Sequence, residues 1–232
     1  MITLNNINFS YDEKKVLRDL SLHIKDNQKV SIIGKSGCGK STLLKLILGV
    51  NTDYSGTAQV FGESITDVRS DIGVVFQHNG LFEFMTIEEN LLQTKVSKSD
   101  VFAMCERLGI ESLLSKYPKA LSGGQLQRAN IARSLLAGKK LILLDEPTSS
   151  LDEFAKEEFQ KQVSELLASS DFGYVIVTHD IKEALVMSER IIMMEDGNVK
   201  KEFVSPYFGK SDSYLSEDFN RMYLDIKREF YA

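Results

Sequence analysis

Short β-rich apolar runs alternate with helical runs along the chain, and no fixed-period repeat or low-complexity tract interrupts them. Residues 2–9 and 17–24 read as strands bounded by Asn, Asp and Lys. Residues 29–33 form a short apolar strand that runs into a glycine-rich turn, and a helix is expected over 40–48. Further strands are expected at 56–61 and 72–76. From Thr86 the pattern turns helical: Thr86 and Glu89 fit a capping box, and Val101, Phe102, Cys105 and Leu108 recur at helical spacing. Pro118 and the Gly123-Gly124 pair break this run before a helix at 125–136. Residues 141–144 and 174–178 are buried strands by their unbroken apolar character. A hairpin over 190–201 turns at Glu195-Asp196-Gly197-Asn198. In the tail from 211, Leu215, Phe219, Met222, Ile226 and Phe230 mark one face of a helix.

This pattern predicts an α/β fold: a core with a mainly parallel sheet, an antiparallel β region near the N-terminus, and a helical insertion at about 78–120. The 232 residues suffice for a sizeable buried core. A formal net charge of -5 argues against a nucleic-acid partner, which a basic surplus would favour. No apolar run approaches the roughly 20 residues of a membrane-spanning helix. The N-terminus has no secretory pattern, and Cys38 and Cys105 do not suggest a disulfide framework, so a cytosolic protein is expected.

Three clusters carry chemistry. Gly34-Lys35-Ser36-Gly37-Cys38-Gly39-Lys40-Ser41-Thr42 matches a phosphate-binding loop, between an apolar strand and a helix as that motif requires. Its glycines let backbone N–H groups wrap an anion at the positive end of the helix. Lys40 then reaches the β- and γ-phosphates and the Ser41 hydroxyl ligates Mg²⁺. The same helix end is expected to favour a thiolate at Cys38. The second cluster is the strand 141–144 ending in Asp145-Glu146. Asp145 is suited to hold Mg²⁺, and Glu146 to take a proton from an attacking water. An apolar run ending in two carboxylates is weak evidence alone and strong evidence beside a phosphate loop. The third cluster, Leu121-Ser122-Gly123-Gly124-Gln125, opens a helix with a serine and two glycines and so makes a second anion site in one chain.

With that third cluster the sequence closely resembles the ABC ATPase family, whose signature reads LSGGQ, in the family's motif order over about residues 2–200. The resemblance implies a P-loop ABC ATPase core over 1–200, with its helical subdomain at about 78–120 and a helical tail at 201–232. It implies ATP and Mg²⁺ as cofactors. Tyr11 corresponds to the aromatic that stacks on adenine and Val16 to its apolar neighbour, although an aromatic on a strand face would look the same. Gln77 corresponds to a glutamine that touches Mg²⁺ and water, and His179 to a switch histidine on the γ-phosphate. His23 and His78 lack such a placement and are expected at the surface. Residues 147–152 correspond to a loop at a dimer interface, with Ser150 where alanine is common. Ser122, Gly123, Gly124 and Gln125 would cap the ATP of a second cassette, so two chains are expected to pair head to tail.

The resemblance further implies transmembrane permease subunits on other chains and a peripheral position on the inner face of the cell membrane. The segment 78–85 after Gln77, rich in apolar side chains for a loop, corresponds to the family's groove for a permease helix, or Leu81, Phe82 and Met85 are local core. A cassette without a fused membrane domain, with Tyr117-Pro118 and the 178–185 segment, looks like bacterial importers, nearest the nitrate, sulfonate and taurine group. A secreted or periplasmic substrate-binding protein would accompany it. Lipid trafficking, cell division, export and a non-transport ABC ATPase are the alternatives.

Overall fold

The computed structural model describes residues 1–76 and 80–231. Two sheets organise it. β1 (Ile2–Tyr11), β2 (Lys14–Ile24), β4 (Ser55–Val60) and β5 (Glu63–Ser64) form an antiparallel sheet in the order β2-β1-β4-β5. β3 (Lys29–Gly34), β6 (Ile72–Val75), β7 (Leu141–Asp145), β8 (Gly173–Thr178), β9 (Arg190–Glu195) and β10 (Asn198–Val204) form a second sheet, ordered β10-β9-β3-β8-β7-β6. All its pairings are parallel except β9 with β10. The expected hairpin is present, its turn made by Asp196 and Gly197, both at positive φ.

Alternation along the buried strands explains the layering. Val30 and Ile32 of β3, Val175 and Val177 of β8, and Leu141 and Leu143 of β7 face one core. Ile33, Tyr174, Ile176, Ile142 and Leu144 face the other. The first core is closed by the antiparallel sheet and by α1 (Lys40–Ile47), through Leu43, Leu46 and Ile47. The second is closed by helices α2 (Ile87–Leu92), α3 (Lys98–Arg107), α4 (Gly123–Leu136), α5 (Glu153–Ala168), α6 (Ile181–Met187) and α7 (Glu217–Tyr231). The Tyr174 hydroxyl would be costly unpaired at that depth, and it donates to the Met187 carbonyl.

Local signals start the helices. Thr86 and Glu89 form the expected capping box, and Ser97 with Asp100 forms another. Between the first box and Leu81, the buried Asn90 side chain staples the loop. Its amide donates to the carbonyls of Phe82, Met85 and Thr86, and its oxygen accepts from the Phe82 N–H. The helix expected at 125–136 begins instead at Gly123. Ser122 caps it, and Gln125 answers with its own side chain, so the cap outweighs the poor helix propensity of two glycines.

Two expectations change. The pattern assigns no element to 153–168, where the chain forms α5, capped by Asp152. Its buried apolar residues, Phe159, Val163, Leu166 and Leu167, make a narrow stripe in a charged segment. The tail helix starts only at Glu217, and Leu215 is 95% exposed rather than on its buried face. Phe219 and Ile226 do seat the helix, the Phe219 ring meeting Tyr207 and Tyr214 edge-on at 5.0 and 5.1 Å.

Phe219→Ala is therefore expected to lower unfolding free energy by about 3–5 kcal/mol in a urea titration. Leu215→Ala should stay within about 0.5 kcal/mol of the parent.

Candidate active site

The parallel register brings three strand ends to one edge: Ile33 pairs with Thr178, Gly34 with Met194, and Asp145 with Val177. Loops leaving those ends carry the phosphate loop, Asp145-Glu146 and His179, as expected for a ligand cleft at the carboxyl side of an open sheet.

In the phosphate loop, Gly37 and Gly39 take positive φ values of 81° and 107°. Gly39 caps α1 from the left-handed region, and a side chain there would press on the Val16 carbonyl and the Leu17 side chain. The turn of the β9–β10 hairpin braces the loop from behind, since the Gly197 N–H donates to the Cys38 carbonyl at 3.1 Å. A Cβ on Gly197 would stand 2.2 Å from the Val16 carbonyl oxygen, so the brace requires glycine. Lys40 is buried, its Nζ donating to the carbonyls of Gly34 at 2.7 Å and Lys35 at 3.2 Å. These bonds aim the ammonium across the loop.

Cys38 departs from expectation. Burial pushes its thiol up in spite of the nearby Lys40, so the loop does not stabilise a thiolate. Cys105, fully buried, is pushed up to about 11.

The cleft beside the loop encloses about 360 Å³ and is lined by Tyr11, Lys14 and Val16 together with Ser36, Gly37, Gly39, Lys40, Ser41, Thr42 and Glu146. Tyr11 is 44% exposed, with its ring edge-on to Phe9 at 4.9 Å and its hydroxyl accepting from Asn51 at 3.0 Å. An exposed, braced ring at the mouth of a phosphate cleft leaves a face free for stacking.

At the other wall, the Ser41 hydroxyl donates to Asp145 Oδ1 at 3.4 Å. Burial and the adjacent Glu146 hold the Asp145 carboxyl above its ordinary range. A hydroxyl and a destabilised carboxylate, both hard oxygen donors, make a fitting seat for a small cation. Glu146 has a left-handed backbone, φ 47°, fixed by its N–H donating to the Val177 carbonyl at 2.9 Å. That conformation is costly for a side-chain-bearing residue. Glu146 Oε2 lies 3.5 Å from His179 Nδ1. Gln77 and His78 lie outside the described residues, while His23 is exposed as expected.

Ser122, Gly123, Gly124 and Gln125 are not among the residues that line this cleft. Ser122 is exposed and Gln125 half-buried, and the α-carbons of Gly123 and Gly124 face the 150–155 segment of the same chain.

A family model described as ABC transporter matches residues 17–149. The chain belongs to the ABC transporter family. It is an ATP-binding subunit that hydrolyses ATP. The aliphatic sulfonates import ATP-binding protein SsuB of Bacillus cereus is 36% identical over 225 residues, covering 93% of this chain and 88% of that protein. The spermidine/putrescine import ATP-binding protein PotA of Photobacterium profundum is 36% identical over 213 residues, covering 87% of this chain and 57% of that protein. Among solved structures, a dimeric ATP-binding cassette in a post-hydrolysis state bound to ADP and Pi superposes with a TM-score of 0.75. It has 31% identity and covers 88% of this chain and 98% of that one.

Several residues of this ABC subunit's site escape a motif reading. Lys14 and Asn51 reach the cleft and Tyr11 from outside any motif. Phe230 of α7 closes a second cavity, of about 320 Å³, against residues 34–38 of the phosphate loop and 193–196 of the hairpin. Lys201 holds that helix end through Glu229 at 2.6 Å. Glu183 of α6 is completely buried, and burial pushes its carboxyl up to about 7. Helical spacing with apolar neighbours was the only sign of it.

Because its folded pKa lies above the ordinary carboxyl value of 4.5, Glu183 binds its proton more tightly in the folded chain. Stability is therefore full below about pH 4.5 and is lost as pH rises through about 7. Glu183→Gln removes that dependence. In urea titrations the variant should gain on the parent by about 3 kcal/mol between pH 5 and pH 8. A constant difference across that range would contradict the pKa shift.

Proposed function

We propose that this subunit powers a bacterial importer, hydrolysing ATP at sites shared between two copies packed head to tail. The observation that carries the catalytic part is that Glu146 lines the Lys40 cleft while its carboxylate lies 3.5 Å from His179 Nδ1. Tyr11 stacks on adenine with Val16 beside it, and the backbone of residues 34–42, with Lys40, holds the phosphates. Ser41 and Asp145, with Gln77, hold Mg²⁺, whose charge offsets that of the β- and γ-phosphates when bound. Glu146 accepts the proton of the attacking water, and His179 orients that carboxylate and meets the γ-phosphate.

The exposed start of α4 completes the site of the other copy. Ser122, Gly123, Gly124 and Gln125 offer a helix N-terminus and close backbone approach to the γ-phosphate bound there, so ATP favours the closed pair. This division accounts for four signature residues that do not line their own chain's cleft.

The permease contact is assigned to the loop before α2. Leu81 is buried, whereas Phe82 is 46% and Phe84 74% exposed, so the stretch serves as core and as apolar surface together. No helix among the described residues is long and apolar enough to cross a membrane, and the membrane path is assigned to separate permease chains. The subunit then works on the inner face of the cell membrane, with a secreted or periplasmic binding protein delivering cargo. Relatives that serve sulfonate and polyamine import support importer architecture.

Glu146→Gln should keep ATP binding and slow turnover by roughly 10²–10⁴-fold. Near-normal hydrolysis in that variant would remove Glu146 from the role of base.

Cysteines placed at Ser36 and Ser122, with Cys38 and Cys105 replaced, should crosslink between chains only when ATP is present. A bond within one chain would overturn the head-to-tail arrangement.

A further inference from the structure

The Tyr11 ring is held from two directions. It sits at the open end of the β1–β2 ribbon, opposite Lys14, where the register shifts three times between Leu4 and Ser10 and Asp12 turns the chain at a positive φ of 49°. Phe9 meets the ring edge-on at 4.9 Å and an interplanar angle of 87°, which sets the tilt of its plane. The second hold comes from 40 positions away in the chain, where Asn51 Nδ2 donates to the Tyr11 hydroxyl at 3.0 Å. The hydroxyl lies on the long axis of the ring, so this bond fixes where that axis points.

Asn51 is itself tied to α1. The N–H groups of Val50 and Asn51 donate to the Lys45 carbonyl at 2.8 and 3.3 Å, and Gly49 turns the chain there at φ 81°. The opposite end of the helix begins with Lys40 and Ser41. Between the two ends Leu43, Leu46 and Ile47 are completely buried, so the core holds α1 in place. A helix of eight residues spans about 12 Å. One end of that span supplies the phosphate lysine and the other anchors the tyrosine, and Lys40 and Tyr11 line the same cleft.

We propose that Asn51 is a positioning residue for the nucleotide base: its bond to Tyr11 ties the ring to the C-terminal end of α1, so that one helix sets the spacing of the base and phosphate subsites. That role rests on the reading above of Tyr11 as the ring that stacks on adenine. A half-exposed ring without such a bond samples several rotamers, and binding has to freeze it. Fixing the ring beforehand removes that entropic cost. An amide suits the task, since it donates to the phenol oxygen without placing a charge beside the base.

The test is isothermal titration with ATP and with inorganic tripolyphosphate, divalent cation being withheld so that ATP is not consumed. Asn51→Ala should raise Kd for ATP about threefold to fivefold, the worth of one hydrogen bond at a solvated site, and leave Kd for tripolyphosphate within about twofold. Tyr11→Phe keeps the ring and deletes the acceptor. It should lose the same factor, and the double variant should lose no more than either single one. In steady-state hydrolysis the loss should fall on KM rather than on kcat. A parental Kd for ATP in Asn51→Ala or in Tyr11→Phe would overturn the proposal, and so would losses that multiply in the double variant. An equal loss for tripolyphosphate would overturn it too, since it would mean damage to α1 and the phosphate loop rather than a misplaced ring. If Asn51→Ala does not fold, Tyr11→Phe decides alone: a loss for ATP but not for tripolyphosphate supports the proposal, and a parental Kd overturns it. Failure of the stacking assignment itself would show separately, as a parental Kd for ATP in Tyr11→Ala.

Discussion

The register of β3, β8 and β7 is the constraint on which the site depends. Parallel pairing sets Ile33 against Thr178 and Asp145 against Val177, so the phosphate loop, the acidic pair and His179 leave the sheet at one level. A shift by one residue would turn Val175 and Val177 into the helical core and Tyr174 and Ile176 into the other. The two apolar layers thus hold the register, and the register holds the geometry of the candidate site. The Glu146 N–H to Val177 bond ties the two levels of organisation together, fixing a strained backbone to a core strand.

Charge is concentrated at this edge and kept in tension. Asp145, Glu146, Asp180 and Glu183 crowd the ends of β7 and β8, against Lys40 and Lys156. Burial and mutual repulsion raise Asp145 and Glu183, so the edge without ligand favours added positive charge. Lys40, held by two carbonyls of its own loop, is pre-aimed, and phosphate oxygens would compete with those carbonyls for a donor already in place.

The signature cluster obeys a different logic. Its capping box makes a firm helix start, and its glycines keep the backbone bare, yet none of its four residues lines the cleft of its own chain. A helix N-terminus built this carefully and left at the surface is suited to an anion brought by another molecule. That is why ATP hydrolysis by this ABC subunit reads as the act of a pair.

Local chemistry was legible in the residues themselves. The phosphate loop, the hairpin turn at Asp196-Gly197, the Thr86 box and the buried strands depend on neighbours within a few positions, and each stands where the pattern put it. α5 escaped because four apolar residues in a charged segment make a narrow stripe that only packing reveals. Leu215 was misplaced because its helical spacing continued past the point where the chain turns. The Cys38 thiol was misjudged because helix-end position is local while burial comes from the whole fold. The sequence by itself determined which groups could bind phosphate, cation and water, since those capacities belong to side chains. Only the tertiary structure decided that Glu146 meets His179, that Gly197 braces the phosphate loop and that Glu183 is completely buried. Those are contacts between distant segments, and the packing of two cores against one sheet sets their distances.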